Sequence, residues 1–151
     1  IVGFRSSSFL AGYLNFYFRL IYDNVTQVQG GAAGTFDQLF RVGPGDVVIA
    51  ICFPRYSELA LKTVQYAKDR GATIIGVTDS EMSPVYQMSS GSLLVRNEMI
   101  SFVDSLAAPM SMLNALILAA AHKQGTDISA TFNELEHVWD RFGIFGKVED
   151  E

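Results

Sequence analysis

Two apolar runs constrain the fold of this chain most: residues 47–52, Val-Val-Ile-Ala-Ile-Cys, and residues 73–77, Thr-Ile-Ile-Gly-Val. Both are rich in β-branched residues and hardly alternate with polar ones. That is the pattern of strands covered on both faces, as in parallel sheets. Between them, residues 57–70 space their apolar positions as a helix does, and Gly71 follows Lys68-Asp69-Arg70 as a helix stop. A strand, a helix and a second strand of this kind form one parallel crossover unit.

The rest of the chain repeats the alternation. Strand-like runs occupy residues 1–4, 25–28 and 92–95, and helix-like segments occupy 7–22, 34–40, 84–88, 103–124 and 129–141. Gly43-Pro44-Gly45-Asp46 turns the chain into the third strand, and Ser83-Pro84 opens a short helix with a serine cap and a first-turn proline. Gly125 stops the long helix, and Thr126 or Asp127 starts the last one. The acidic tail, residues 147–151, is expected to fray. The expected fold is α/β: a three-layer αβα sandwich with a five-stranded parallel sheet, doubly wound in the flavodoxin-like manner.

Bulk composition narrows the function. The 151 residues suit one domain over residues 1–151, and an apolar fraction of 49% is enough for a core without staples. Eleven Lys and Arg face sixteen Asp and Glu, for a net charge of −5, so the segment itself is not built to grip nucleic acid or a membrane surface. The most apolar run, 112–121, contains Asn114 and is too short to span a bilayer. A single cysteine allows no internal disulfide, and with no secretory leader the expected location is cytoplasmic. The chain opens on Ile1-Val2-Gly3, which reads as the middle of a strand and carries no initiator methionine; a preceding N-terminal part is therefore expected. The helices at 7–22 and 103–124 are apolar around more than one face, which predicts burial against a second copy of the chain in a homodimer or larger assembly.

In open parallel sheets, small molecules bind beyond the C-terminal ends of the strands, where helix N-termini favour anions. Three loops at that edge carry suggestive chemistry. The first, Gly3-Phe4-Arg5-Ser6-Ser7-Ser8, offers hydroxyls that either cap the following helix or donate to a bound oxyanion. The second, Cys52-Phe53-Pro54-Arg55-Tyr56-Ser57, places Ser57 to cap its helix and Arg55 to fork onto a phosphate or carboxylate, or to pair with a neighbouring acid. Tyr56 packs over a ligand or over a loop, and Cys52 reads as a small buried residue rather than a nucleophile. The third, Arg96-Asn97-Glu98-Met99-Ile100-Ser101, brings Glu98, which suits a polyol hydroxyl or the role of a base.

The motifs together resemble the SIS (sugar isomerase) domain, and more closely that of RpiR-type bacterial transcription regulators. The resemblance rests on Gly3 to Ala11, on Gly45-Asp46 through Ser57-Glu58, on Arg70-Gly71-Ala72 with Ile75-Gly76-Val77-Thr78-Asp79, on Ser83-Pro84, and on Ser101-Phe102-Val103-Asp104-Ser105-Leu106. Such domains carry a Gly-x-Gly-x-Ser first loop; here Arg5 replaces the second glycine and Ser7 falls on the phosphate-contacting serine. Their second loop reads Ser-x-Ser-Gly-x-Thr; here Cys52, Pro54, Arg55 and Ser57 stand at its serine, serine, glycine and threonine. A fixed cation, a proline and an aromatic ring thus replace a neutral phosphate cradle.

The resemblance implies a non-catalytic, ligand-sensing and dimerisation domain that binds a phosphosugar or another small anionic, carbohydrate-derived effector. The candidate ligand residues are Arg5, Ser6, Ser7, Cys52, Arg55, Tyr56, Ser57 and Glu98; no catalytic residue, metal or cofactor is expected. DNA would be held only by a helix-turn-helix domain N-terminal to this segment. The alternative is a sugar-phosphate (aldose-ketose) isomerase with Glu98 as base, which the altered second loop and the late placement of His122 and His137 disfavour. A phosphoacceptor receiver or flavin carrier is further off, because Gly3-Phe4-Arg5 offers no acidic cluster.

Overall fold

The structure, a computed structural model, describes residues 1–100, 102–125 and 128–146. Ser101, the helix-start candidates Thr126 and Asp127, and the 147–151 tail lie outside the described residues.

Three regular strands form the sheet: β1 (Val47–Ile51), β2 (Thr73–Thr78) and β3 (Gly91–Leu94), all parallel in the order β1-β2-β3. The register aligns Val47 with Thr73 and Ile51 with Val77, then Ile75 with Gly91 and Thr78 with Leu94. The expected count of five strands is therefore corrected to three. The segments at 1–4 and 25–28 still lie alongside, but each pairs through a single residue: Val2 bridges in parallel to both Val28 and Ala50. Val2 N–H donates to the Ile49 carbonyl at 2.8 Å, and its own carbonyl accepts from Ile51 N–H at 2.8 Å. Regular pairing stops there because the chain turns at once into helix α1 (Ser7–Phe18). At Gly3 the approach is so close that an added Cβ would stand 2.5 Å from the Ser7 carbonyl oxygen.

Strand alternation splits the core between the two faces of the sheet. Val48, Ala50, Cys52 and Ile74 pack with Ala60, Val64 and Ala67 of α3 (Glu58–Asp69) and with Val85 of α4 (Pro84–Met88). Leu39, just past α2 (Ala32–Gln38), joins that cluster. On the other face, Ile51, Phe53 and Val77 meet Leu10, Leu14 and Phe18 of α1, and Leu113 and Ile117 of α5 (Ala107–Gln124). Helices on both faces of a parallel sheet make an αβα sandwich.

The capping signals act as the sequence implies. Ser57 caps α3 by accepting from Ala60 N–H at 3.4 Å, and Ser83 caps α4 by accepting from Val85 N–H at 3.3 Å with Pro84 at the first helical position. Gly71, at φ 89°, takes the left-handed backbone that ends α3. Two helix boundaries differ most from expectation, and α2 lies two residues earlier than the expected 34–40. α1 stops at Phe18 rather than 22, closing with tight bonds from Ile21 and Tyr22 N–H to the Phe18 carbonyl. α5 begins at Ala107 rather than 103, and before it lie two short antiparallel strands, β4 (Met99–Ile100) and β5 (Val103–Asp104). Pro109 explains the later start: it has no N–H and fits a helix only in its first turn. The last helix, α6 (Ile128–Phe142), leaves Phe132, Val138 and Phe142 exposed.

Candidate functional site

The loops that leave Val2 and β1 converge at the C-terminal edge of the sheet, and β5 closes over them from the side. Together they enclose a hollow of about 80 Å³, lined by Phe4, Arg5, Ser6, Ser7, Cys52, Phe53, Pro54, Arg55, Ser57 and Asp104. Drug-sized sites measure roughly 300–1,000 Å³, so this hollow takes one charged group and not a whole metabolite. Six of the eight residues singled out from the sequence meet here: Arg5, Ser6, Ser7, Cys52, Arg55 and Ser57.

The two arginines share an uncommon backbone. Among the described residues that are not glycine, only Arg5 (φ 57°) and Arg55 (φ 61°) have left-handed φ. Both thus hold a conformation that glycine adopts readily and other residues rarely do. An L-residue in this region costs about 1–2 kcal/mol, and such strain clusters at ligand sites. At Arg5 it is held by Ser8, whose N–H and hydroxyl both donate to the Arg5 carbonyl, at 3.0 and 2.6 Å.

Asp104 is the member that sequence reasoning missed. It lies 98 residues from Ser6, yet its Oδ2 accepts the Ser6 hydroxyl at 2.8 Å. Its Oδ1 is 3.7 Å from an Arg55 terminal nitrogen, with the Arg55 side chain 64% exposed. That ion pair is long and wet, of a kind worth no more than about 1 kcal/mol, so the guanidinium keeps donors to spare. Ser6, one of the expected helix caps, makes no capping bond, because its hydroxyl is directed to Asp104. The advance signals were an acid between Phe102-Val103 and the long helix, and its place in the 101–106 stretch of the resemblance.

The remaining candidates divide. Ser7 and Cys52 are buried in the wall of the hollow, and burial pushes the Cys52 thiol above its ordinary pKa, opposite to what a nucleophile needs. Ser57 faces the hollow while capping α3. Tyr56 does not line it. The phenol donates to Asp79 Oδ1 at 2.8 Å, and burial followed by that bond raises its pKa. Thr78 completes the polar cluster by donating to Ser83 Oγ at 2.7 Å. Glu98 is exposed and outside the hollow, as are His122 and His137. Among the described residues no group of three or more His, Cys, Asp or Glu could hold a metal ion.

Beside the hollow, and sharing Phe4 and Arg5 with it, runs an open groove of about 540 Å³. Its walls include Ser8, Tyr13, Gln27 and Gln29. Arg5 therefore stands between a small charged pocket and a wider groove of mixed polar and apolar lining.

Comparison with known proteins fits this architecture. An RpiR transcription factor from Sphaerobacter thermophilus (sugar isomerase domain) superposes with a TM-score of 0.83 at 20% identity, over 90% of this chain and 76% of that one. The Vibrio vulnificus NanR protein complexed with ManNAc-6P matches at 0.78 and 15%, over 97% of this chain, which spans only 55% of NanR. The E. coli CFT073 protein c3406, solved as a complex, matches at 0.70 and 22%, over 89% and 74%. No curated protein sequence matches the chain significantly. The sequence model of the SIS domain matches residues 1–119, most of the chain, and the protein belongs to the SIS domain family.

Proposed function

We propose that this chain is the effector-binding and dimerisation domain of an RpiR-type transcription regulator, and that it binds a small anionic, carbohydrate-derived effector without catalysing a reaction. The observation that carries this reading is the convergence of Arg5 and Arg55 on one small hollow at the C-terminal edge of a parallel sheet. Two arginines lining a site of that size suit a single anionic head, phosphate or carboxylate. The adjoining groove, walled by Phe4, Phe9, Tyr13 and Val28 as well as Ser8, Gln27 and Gln29, gives the rest of such a ligand room. The fold shared with an RpiR factor and with NanR bound to ManNAc-6P supports the same class of ligand.

The non-catalytic reading is supported by the chemistry on the hollow's wall. Its only carboxylate among the described residues, Asp104, is engaged by Ser6 and Arg55, while Glu98 stands outside. Dimerisation is supported by exposed Phe9 and Phe16 on α1 and Leu118 on α5, neighbours on one side of the sandwich. DNA would be gripped by a helix-turn-helix domain preceding this segment, in the cytoplasm. No described helix is long and apolar enough to cross a membrane.

Isothermal titration of the domain against sugar phosphates and sugar acids tests the reading, with Arg55→Ala as control. Saturable binding lost in the variant supports it. Equal binding by the variant removes Arg55 from the site, and turnover in a coupled ketose–aldose assay contradicts the non-catalytic role.

A further inference from the structure

We infer that the hollow selects a hydroxy carboxylic acid, of the sugar-acid type, over a phosphate ester, and that Asp104 sets this preference. The inference rests on the anion-binding reading above and narrows it. Three ionic residues line the hollow, Arg5, Arg55 and Asp104, and together they leave one net positive charge. A carboxylate carries one negative charge, whereas a phosphate monoester carries about −1.5 to −2 at pH 7. The second charge of a phosphate would meet the Asp104 carboxylate across a space of about 80 Å³.

Hydrogen-bonding capacity points the same way. A phosphate presents three terminal oxygens and needs many donors. Here Cys52 and Pro54 line the hollow without offering a hydroxyl, and Pro54 has no N–H either. A carboxylate needs fewer donors, and a guanidinium meets it with two parallel bonds. Asp104 adds an acceptor that no anion uses. Its Oδ2 is taken by the Ser6 hydroxyl, but Oδ1, at 3.7 Å from Arg55, lies beyond hydrogen-bond distance and retains acceptor capacity. A hydroxyl next to the ligand's carboxylate can donate to that oxygen while the carboxylate meets the arginines. The Ser6 bond fixes Asp104 in place to receive it.

The test is titration calorimetry with matched pairs: D-gluconate against D-glucose 6-phosphate, D-arabinonate against D-arabinose 5-phosphate, and D-glycerate against D-glyceraldehyde 3-phosphate. Wild-type domain and Asp104→Asn are compared, the amide keeping the size of the side chain and an acceptor for Ser6. The expected result is that the wild type prefers the acid in at least one pair by about tenfold or more, and that Asp104→Asn cancels or reverses the preference. Hexanoate, which lacks the hydroxyls, is expected to bind about tenfold more weakly than gluconate. Tighter binding of the phosphate member by the wild type overturns the inference and leaves the anion site standing. An acid preference unchanged in Asp104→Asn, with the fold intact by circular dichroism, removes Asp104 from the selection. Binding of no member of any pair overturns both the inference and the anion-binding reading beneath it.

Discussion

Arg5 and Arg55 lie 50 residues apart in the sequence, yet each holds a left-handed backbone and each forms part of the wall of one hollow. Both loops take a path that glycine makes easy, and both carry an arginine there. Backbone strain and charge therefore fall on the same two residues.

Backbone strain is therefore measurable by mutation. At most positions alanine is at least as stabilising as glycine. At positions 5 and 55 the order is expected to invert, with Arg5→Gly and Arg55→Gly each more stable than the corresponding alanine variant by about 1 kcal/mol. Urea denaturation with a common m-value checks this. Equal or higher stability of the alanine variants contradicts the left-handed assignment.

Gly3 is constrained by space rather than by dihedral. A Cβ there would come within 2.5 Å of the Ser7 carbonyl, a backbone atom that cannot swing away. Gly3→Ala is expected to cost about 1–3 kcal/mol and to weaken anion binding as well, because it pushes on the segment that positions Ser7. A thermal melt read beside a titration separates the two effects.

Alkaline pH should destabilise the domain. Burial raises the Cys52 thiol above its unfolded value, and burial together with the Asp79 hydrogen bond raises the Tyr56 phenol. For both, the unfolded chain loses its proton first. The contribution is thus fully present below about pH 8.5 and declines as pH rises through the thiol and then the phenol range near 10. Denaturation midpoints from pH 7 to 11 are expected to fall above about pH 9, and less steeply in Tyr56→Phe. A flat profile contradicts the buried settings of both groups.

Much of the sandwich was legible in the sequence because its signals are local. The double-sided burial of β1 and β2 shows in their Val and Ile content, and the starts of α3 and α4 show in Ser57-Glu58 and Ser83-Pro84. The two arginines stood out because they are cations in loops expected at the C-terminal edge of the sheet. What could not be read depended on distant partners. Tyr56 turns to Asp79, and Ser6 gives up its cap for Asp104, through contacts that no local spacing encodes. The β4–β5 pairing was hidden because a short apolar run before a long helix looks like part of that helix. The full extent of the first two strands was overread, since apolar character at 1–4 and 25–28 says nothing about how many bonds the edge can make before Gly3 turns away.

The exposed aromatic and aliphatic side chains of α1 and α5 lead to a prediction of assembly. Phe16 is 59% exposed and Leu118 71%. Wild-type domain is expected to scatter light with the mass of at least two chains at micromolar concentration, and the double variant Phe16→Glu, Leu118→Glu with the mass of one, its fold unchanged by circular dichroism. A wild type that stays at the mass of one chain contradicts a dimer seam on this face.

The most direct measurement is a crystal structure of the domain grown with the tightest-binding anion from the titration series. The anionic head is expected inside the hollow, with guanidinium nitrogens of both Arg5 and Arg55 at about 2.7–3.0 Å from its oxygens. Density for the anion elsewhere on the surface, with both arginines turned away from the hollow, would contradict capture of the effector at this rim of the sheet.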